Sequence, residues 1–157
     1  MTMTLQEILN AKGRAVHTIG WNATLEDVVQ TLVRHNCGSL IVCDVSDDRD
    51  KRHDDAGPPG HMVGIITERD ILRACARHQG PLASLKVADA MTTDVVTGSP
   101  NDSVEATMGL MTEMRIRHLP VVEGGQLQGL VSIGDVVKLQ YDRLSMENHY
   151  LKSYIQG

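Results

Sequence analysis

A seven-residue motif occurs twice in this chain, and its repetition constrains the fold more than any other feature. The motif is a glycine, two apolar residues, a hydroxyl residue, two variable residues and an aspartate. It reads GIITERD at residues 64–70 and GLVSIGD at residues 129–135. Each copy follows a short β-like run and opens a stretch with helical periodicity. Two copies of one strand–turn–helix unit predict a duplicated fold.

The duplication extends well upstream of the motif. Residues 16–42 align with residues 95–121 at a spacing of 79 residues, and the apolar positions of the two segments coincide. At the motif itself the spacing falls to 65 residues, so the first half carries 14 additional residues. We place this insertion at 46–61, SDDRDKRHDDAGPPGH, where the absence of apolar periodicity predicts an exposed, mobile loop.

Each half shows the pattern strand, helix, strand, strand, helix, which predicts two units of an α+β fold. Thr24 and Ser103 are suitable N-caps for the first helix of each half. The predicted first helices cover 25–36 and 104–115, and the predicted strand pairs cover 39–44 with 62–66 and 118–122 with 127–131.

The second helix of each half begins directly after the motif hydroxyl, at Glu68 and at Ile133. Gly80-Pro81 ends the first of these helices, because proline cannot continue a helix. After Gly134, in its first turn, the second one contains no Gly or Pro before Gly157. We therefore predict repeat 1 at residues 1–80, and repeat 2 with a long C-terminal helix at residues 81–157.

Composition argues against several classes of function. The net charge is −5 and the chain has one Trp, three Tyr and no Phe, whereas a nucleic-acid binder needs a basic face and stacking rings. No apolar run is long enough to span a bilayer, and the start, MTMTLQEILN, does not resemble a signal peptide. Three cysteines, an odd number without a CxxC pair, indicate a reduced, cytoplasmic setting.

The hydroxyl and the aspartate of each motif allow a structural and a functional interpretation. Structurally, Thr67 with Asp70 and Ser132 with Asp135 resemble capping boxes at helix starts. Functionally, the N–H groups of a helix start suit a phosphate, and a carboxylate can accept hydrogen bonds from both ribose hydroxyls. Three observations favour binding: the motif recurs at equivalent places, a glycine lies in both preceding strands, and the acid is Asp where a capping box prefers Glu or Gln. The two interpretations are compatible.

These motifs, together with RIRHLPVV at residues 115–122, resemble a tandem pair of CBS domains, the regulatory modules named after cystathionine β-synthase. The resemblance covers roughly residues 16–139. It implies a stand-alone, bacterial-type CBS pair, or Bateman module, with two βαββα repeats related by a pseudo-twofold axis. It also implies up to two adenine-nucleotide sites in a cleft between the repeats, and dimerisation through helices.

The resemblance further implies which residues bind the nucleotide. Asp70 and Asp135 would hold ribose hydroxyls, and Thr67 and Ser132 would contact phosphate. Thr18 and Thr97, at the ends of the first strands, would bind base or ribose. The residues that enter the next strand would face the phosphates. The motif glycines would allow another group to approach the backbone closely. The full set is Thr18, Gly38, Ser39, Gly64, Thr67, Asp70, Thr97, Arg115, Arg117, His118, Gly129, Ser132 and Asp135.

The two implied sites differ in charge. Arg117 and His118 enter the strand in the second half, where Gly38 and Ser39 stand in the first. Arg115 adds a further cation that could reach phosphates. We therefore expect two unequal sites, the more cationic one in the second half.

The leading hypothesis is a non-catalytic sensor of adenine nucleotides that requires no metal. AMP is the simplest ligand, and ADP, ATP, NAD or S-adenosylmethionine share its adenosine portion. Binding would be signalled through an unknown effector protein or through rearrangement of a homodimer; neither nucleic acid nor a membrane is an expected partner. The alternative is a structural or protein-docking module whose nucleotide sites do not function.

Four further patterns allow other interpretations. His118, Ser132 and Asp135 form a poor hydrolase triad because no GxSxG turn is present. The residues His53, Asp54, Asp55 and His61 fit no standard zinc spacing. The methionines at 108, 111 and 114 are typical of a core or a dimer interface, and the apolar residues of 136–155 indicate a helix that packs on its own unit or, as we favour, in a dimer.

Overall fold

The computed structural model describes residues 2–44 and 61–156. Within them lie six α-helices and five β-strands. The helices are α1 (Leu5–Lys12), α2 (Leu25–His35), α3 (Glu68–Arg77), α4 (Val87–Ala90), α5 (Val104–Met114) and α6 (Ile133–Gln156). The strands are β1 (Thr18–Gly20), β2 (Ser39–Cys43), β3 (Met62–Thr67), β4 (His118–Glu123) and β5 (Gln126–Ser132). The mixed, repeated order of helices and strands confirms the predicted α+β class.

The contacts of the chain form two compact units. Residues 15–96 form one, here called the 15–96 unit, and residues 1–14 with 97–157 form the other, here called the 97–157 unit. Packing thus divides the chain at residues 14/15 and 96/97, whereas the sequence pattern places the division at residues 80/81. Where each repeat begins and ends as a unit of sequence remains a prediction.

A three-stranded sheet organises the 15–96 unit. Strand β2 lies in the centre, parallel to β1 and antiparallel to β3. All five residues of β2 are buried, as expected for a central strand covered on both faces. The core of this unit comprises Ile19, Leu25, Val28, Leu32, Leu40, Val42, Ile66, Ala74 and Val87.

The 97–157 unit repeats this arrangement, but a single bridge takes the place of the first strand. Strands β4 and β5 form an antiparallel hairpin, and Gly124 and Gly125 turn it with φ of 59° and 78°, a conformation that favours glycine. In place of a first strand, Gly98 makes a single parallel bridge to Val121, with Gly98 N–H donating to Pro120 O at 2.9 Å.

The predicted N-caps are confirmed, and the predicted C-terminal ends of α2 and α5 are one residue too long. The Thr24 side chain accepts from Asp27 N–H and the Ser103 side chain accepts from Ala106 N–H. Asn36 and Arg115 adopt the left-handed conformation, with φ of 49° and 55°, and therefore act as C-caps. Asn tolerates this conformation better than Arg, which carries a long side chain.

Two segments that the sequence pattern did not reveal complete the units. Helix α1 packs on the 97–157 unit, with Leu5, Ile8 and Leu9 buried, and α4 packs on the 15–96 unit through Val87. Each segment enters through an antiparallel bridge to the residue that caps the unit's first helix: Thr4 to Ser103, and Lys86 to Thr24. The two units are therefore completed in the same way.

Met111 is buried in the 97–157 unit, which confirms the core interpretation for this residue, whereas Met114 is half exposed. The predicted insertion at 46–61 and the histidine–aspartate group at 53–55 lie outside the described residues, except for His61. Within the described residues, no group of three or more His, Cys, Asp or Glu side chains could hold a metal ion. No helix in the part of the chain that the structure describes is long and apolar enough to cross a membrane.

Candidate functional site

The motif aspartate of the 15–96 unit lies at the third position of α3, inside a complete capping box. Thr67 N–H donates to Asp70 Oδ2 at 3.0 Å, and Asp70 N–H donates to Thr67 Oγ1 at 3.3 Å. The Thr92 hydroxyl donates to Asp70 Oδ1 at 3.2 Å. Asp70 is 6% exposed, so its carboxylate is shielded from bulk water and held by three neutral donor groups of its own unit, counting the Thr67 hydroxyl at 3.2 Å.

The motif aspartate of the 97–157 unit has the same backbone setting and a different neighbour. Ser132 N–H donates to Asp135 Oδ2 at 2.9 Å, and Asp135 N–H donates to Ser132 Oγ at 3.1 Å. The Lys12 ammonium, at the end of α1, donates to the same Oδ2 at 2.7 Å and to Leu130 O at 2.9 Å. The Asp135 side chain is 26% exposed.

The charge of Lys12 changes the acidity of Asp135. Partial burial acts to raise the pKa of Asp135, but the hydrogen bond from Lys12 and those from Ser132 outweigh it, so the pKa lies below its ordinary value. The carboxylate is therefore ionised at neutral pH and already paired with a cation.

The motif glycines lie in close contact with other parts of their own units. A Cβ on Gly64 would lie 2.7 Å from Thr92 O and 3.1 Å from Met91 Sδ, and one on Gly129 would lie 2.7 Å from Leu9 Cδ2. The segment at 91–92 and helix α1 therefore occupy equivalent places against the two motifs. The close approach predicted at these glycines exists, and the approaching group is another part of the same unit.

The residues that enter the second strand lie beside the motif hydroxyl in both units. Ser39 pairs with Thr67 across β2 and β3, and His118 pairs with Ser132 across β4 and β5. The preceding carbonyls cap the motif helices. Gly38 O accepts from Glu68 N–H at 3.1 Å, and Arg117 O accepts from Ile133 N–H at 2.8 Å.

The sequence of this chain also matches known proteins. The family model for the CBS domain matches residues 14–77 and 87–142. The chain belongs to the CBS domain family.

Among related proteins, the CBS domain-containing protein CBSX3, mitochondrial, of Arabidopsis thaliana is 34% identical over 98% of this chain and 72% of its own length. The crystal structure of the CBS-domain containing protein ATU1752 from Agrobacterium tumefaciens is 35% identical, with a TM-score of 0.77 over 89% of this chain and 95% of that one. A CBS pair of protein MJ0100, solved with 5-methylthioadenosine and S-adenosyl-L-methionine, shares the fold at 23% identity and a TM-score of 0.71, covering 91% and 99% of the two chains. A hexameric CBS-CP12 protein from bloom-forming cyanobacteria, 29% identical with a TM-score of 0.67 over 87% of this chain and 71% of that one, shows that some CBS proteins form oligomers.

A groove of about 280 Å³ lies against Asp70 within the 15–96 CBS unit. This volume is near the lower end of the roughly 300–1,000 Å³ of small-molecule pockets. Its lining brings the Asp70 carboxylate together with basic side chains of α3 and with the segment after it. The lining residues are Leu25, Asp70, Arg73, Ala74, Arg77, His78, Leu85, Asp89, Ala90, Met91 and Thr92.

Three of the predicted site residues, Thr18, Thr97 and Arg115, do not lie at the start of a motif helix. Thr18 begins β1, and Thr97 precedes the bridge residue Gly98, so the predicted placement of both at the end of a first strand is wrong. The reason is that pairing begins later than the apolar pattern suggests: the residues before Thr18 and Thr97 are not in a strand. Arg115 is an exposed C-cap of α5.

Sequence reasoning missed Lys12, Met91 and Thr92 as parts of the candidate site. Lys12 lies 123 residues from Asp135 in the sequence, and Thr92 lies 22 residues from Asp70. Neither belongs to the repeated motif. A signal was nevertheless present for α1, where Leu5, Ile8 and Leu9 follow helical spacing.

Proposed function

We propose that this CBS pair is a non-catalytic regulatory module that binds adenine nucleotides, one through the motif of each unit. The observation that carries the proposal is the repeated capping box, in which an Asp, buried in one unit and partly exposed in the other, lies beside a helix start and a strand-entry residue. AMP is the simplest ligand. ADP, ATP, NAD and S-adenosylmethionine share the adenosine portion that the two aspartates would recognise.

The chemistry of each helix start supports this function. A carboxylate can accept two hydrogen bonds from the vicinal hydroxyls of ribose, as Asp70 and Asp135 would. The helix dipole and the hydroxyls of Thr67 and Ser132 favour a phosphate nearby. The adenosine compounds held by the CBS pair of MJ0100 show that this fold can accept such ligands, and they are the reason for preferring adenosine over other nucleosides.

The two sites are expected to be unequal. Ribose hydroxyls would replace a neutral donor, the Thr92 hydroxyl, at Asp70. At Asp135 they would have to displace or share the Lys12 ammonium. Arg117 adds positive charge at the entry to the strand that pairs with Ser132 and would favour ligands that carry more phosphate groups.

Thermal unfolding with a panel of adenosine, AMP, ADP, ATP, NAD and S-adenosylmethionine tests the proposal. A ligand at 100 times its dissociation constant adds about 2.7 kcal/mol to the free energy of unfolding and raises the midpoint of unfolding. GMP and CMP are the controls, since they present ribose and phosphate without adenine. A panel in which no adenine compound raises the midpoint contradicts nucleotide sensing.

The competing function is a structural or protein-docking module with non-functional nucleotide sites. The observation that favours it is the row of large exposed apolar side chains on α6, which is typical of an interaction surface. We further propose a homodimer and an unidentified effector protein that responds to it. We also propose a cytoplasmic location, which suits the reduced state of the three cysteines.

A further inference from the structure

Most of helix α6 is exposed. Among its described residues only Val136 is buried, and all 16 residues from 141 to 156 are exposed. At 1.5 Å per residue this exposed part is about 24 Å long. An isolated helix of about this length is marginally stable in water, so a surface that covers it would account for its persistence.

Five of the eight large exposed apolar residues of α6 follow a heptad repeat. Counting from Val137, the intervals between the seam positions alternate between four and three residues, which is the spacing of d and a positions in a coiled coil. The seam, as defined here, consists of Val137, Tyr141, Leu144, Asn148, Leu151 and Ile155. Its five apolar members are 52–80% exposed. Leu144 and Leu151 at d positions and Ile155 at an a position match the choice that favours two parallel strands, whereas Val137 at d and Tyr141 at a do not follow it.

The polar member of the seam selects one orientation of the partner helix. Asn148 is at an a position, where a single Asn specifies register and the two-stranded state. In a parallel, in-register pair the two copies of Asn148 face each other and can join their amides by a hydrogen bond. In an antiparallel pair an a position faces a d position, so Asn148 would lie against leucine with its amide unpaired, which is costly.

The charges beside the seam select the same orientation. In a parallel pair, a g residue faces the e residue five positions later on the other helix. Glu147 at g would then face Lys152 of the second copy at e, in two symmetric ion pairs. Gln140 and Ser145, at the preceding g and e positions, are uncharged and do not oppose this. Arg143, which bonds to Glu147 at 3.2 Å, is on the outer face and leaves the seam open.

We propose that residues 137–155 of α6 form a parallel two-stranded coiled coil with the same residues of a second copy of this chain, with Asn148 setting the register. This inference rests on the homodimer of the proposed function and does not depend on nucleotide binding. Met146, Tyr150 and Tyr154 lie off the seam, at f, c and g positions. Met146 and Tyr150 stay exposed in the pair.

Sedimentation equilibrium of the full chain tests the seam. Leu151→Asp places a charge within the seam and should weaken the dimer at least tenfold, with Leu144→Asp acting in the same way. The matched control is Tyr150→Asp, which adds the same charge to a neighbouring off-seam position and should leave the dimer unchanged. Circular dichroism verifies that each variant is folded.

A monomeric wild-type chain at the highest concentration studied overturns the coiled coil. So does a dimer that persists unchanged in both seam variants, since another face must then hold it, or equal weakening by Tyr150→Asp.

Charge reversal tests the orientation. Glu147→Lys and Lys152→Glu should each weaken the dimer, because each creates two like-charge pairs, and the double variant should restore it. In a Cys75→Ser background, Asn148→Cys should form an intermolecular disulfide under mild oxidation, because facing a positions lie within disulfide reach, whereas Tyr150→Cys should not. Failure of the double variant to restore the dimer, or a preference for linkage through residue 150, overturns the parallel register.

Calorimetry with AMP on Leu151→Asp separates this proposal from nucleotide sensing. Retained binding by the monomeric variant supports two independent properties. A chain that binds no nucleotide can still show the predicted seam, and a chain without the seam can still bind nucleotide, so each proposal can fail alone.

Discussion

At the scale of single residues, the same aspartate serves both the helix and the candidate site. Asp70 and Asp135 each accept from the backbone N–H of the residue that caps their helix, so the shorter Asp side chain completes a capping box as Glu would. The carboxylates remain close to the motif hydroxyls. The compatibility of capping and binding explains why the motif alone could not separate a structural from a functional role.

Asp135→Ala should weaken the binding of AMP in the 97–157 unit. The variant removes charge-assisted hydrogen bonds to ribose, which cost about 1.5–3 kcal/mol, or about 10- to 150-fold in affinity. Isothermal titration calorimetry measures the change. The control is Asp142→Ala, an exposed carboxylate on α6 that should not alter affinity. Unchanged affinity in Asp135→Ala would contradict the ribose role.

Lys12→Met should strengthen the binding of adenosine at the same site. In the ion pair, the Lys12 side chain is 37% exposed and the Asp135 side chain is 26% exposed. Such a pair contributes about 0.2–1 kcal/mol, so removing its competition with the ribose hydroxyls should raise the affinity up to about fivefold. Adenosine, which lacks a phosphate, isolates this effect from any attraction between Lys12 and phosphate. The titration uses an Asp70→Ala background, with Lys138→Met as the control; weaker adenosine binding would refute the competition.

At the scale of elements, each unit is completed by a short segment that lies against its motif strand. Thr92 pairs with Ile65 through two hydrogen bonds of 2.8 and 2.9 Å, and α1 places Leu9 against Gly129. The strand glycines are thus packing requirements of the elements, whatever the ligand.

Gly64→Ala should destabilise the chain more than Gly129→Ala. The new methyl group at 64 would meet the backbone oxygen of Thr92, whereas the one at 129 would meet the end of the flexible Leu9 side chain. We expect a loss of about 1–3 kcal/mol for Gly64→Ala and a smaller loss for Gly129→Ala. Urea unfolding measures both. Gly109→Ala, in α5 with open space around it, should stabilise the chain slightly and serves as the control. A larger loss of stability for Gly129→Ala than for Gly64→Ala would count against this packing.

The contact between α1 and the start of α6 should depend on acid pH. The pKa of Asp135 is lower in the folded chain than its ordinary value of 3.8, so the unfolded state binds more protons between the two values. The stability from this contact is fully present above pH 3.8 and is lost as the pH falls through the folded pKa. Asp135→Asn should be less stable than the wild type at pH 7 and should lose less stability on acidification. Chemical denaturation at pH 7 and at pH 3 checks this; parallel losses in both proteins would exclude it.

At the scale of the whole molecule, two similar units carry two dissimilar neighbours at their motif aspartates. A neutral Thr92 hydroxyl contacts Asp70, and a charged Lys12 contacts Asp135. Duplication therefore repeats the backbone geometry without repeating the electrostatics.

Calorimetric titration of the wild-type chain with AMP should show two classes of site. The difference arises because one carboxylate must exchange an ammonium for ribose hydroxyls and the other a hydroxyl. Asp70→Ala should remove one class and Asp135→Ala the other. One uniform class of two sites, or loss of both classes in either variant, would disagree with independent, unequal units.

The sequence by itself determined where the repeated elements lie. Periodicity, the Thr24 and Ser103 caps, the Gly124-Gly125 turn and the motif hydroxyls are local signals, and the structure shows a helix, strand or turn at each of them. The ends were less accurate, because neither helix ends at a Gly or Pro that would mark the boundary in the sequence. The backbone of Asn36 and of Arg115 has already turned to the left-handed conformation.

Only the tertiary structure decided what lies against the two aspartates. Helix α1 and α4 are short, with 8 and 4 residues, and are held by burial against a unit rather than by strong local preference. Lys12 reaches Asp135 across 123 residues of sequence. No local pattern encodes that contact, because it depends on how the chain returns to pack on itself.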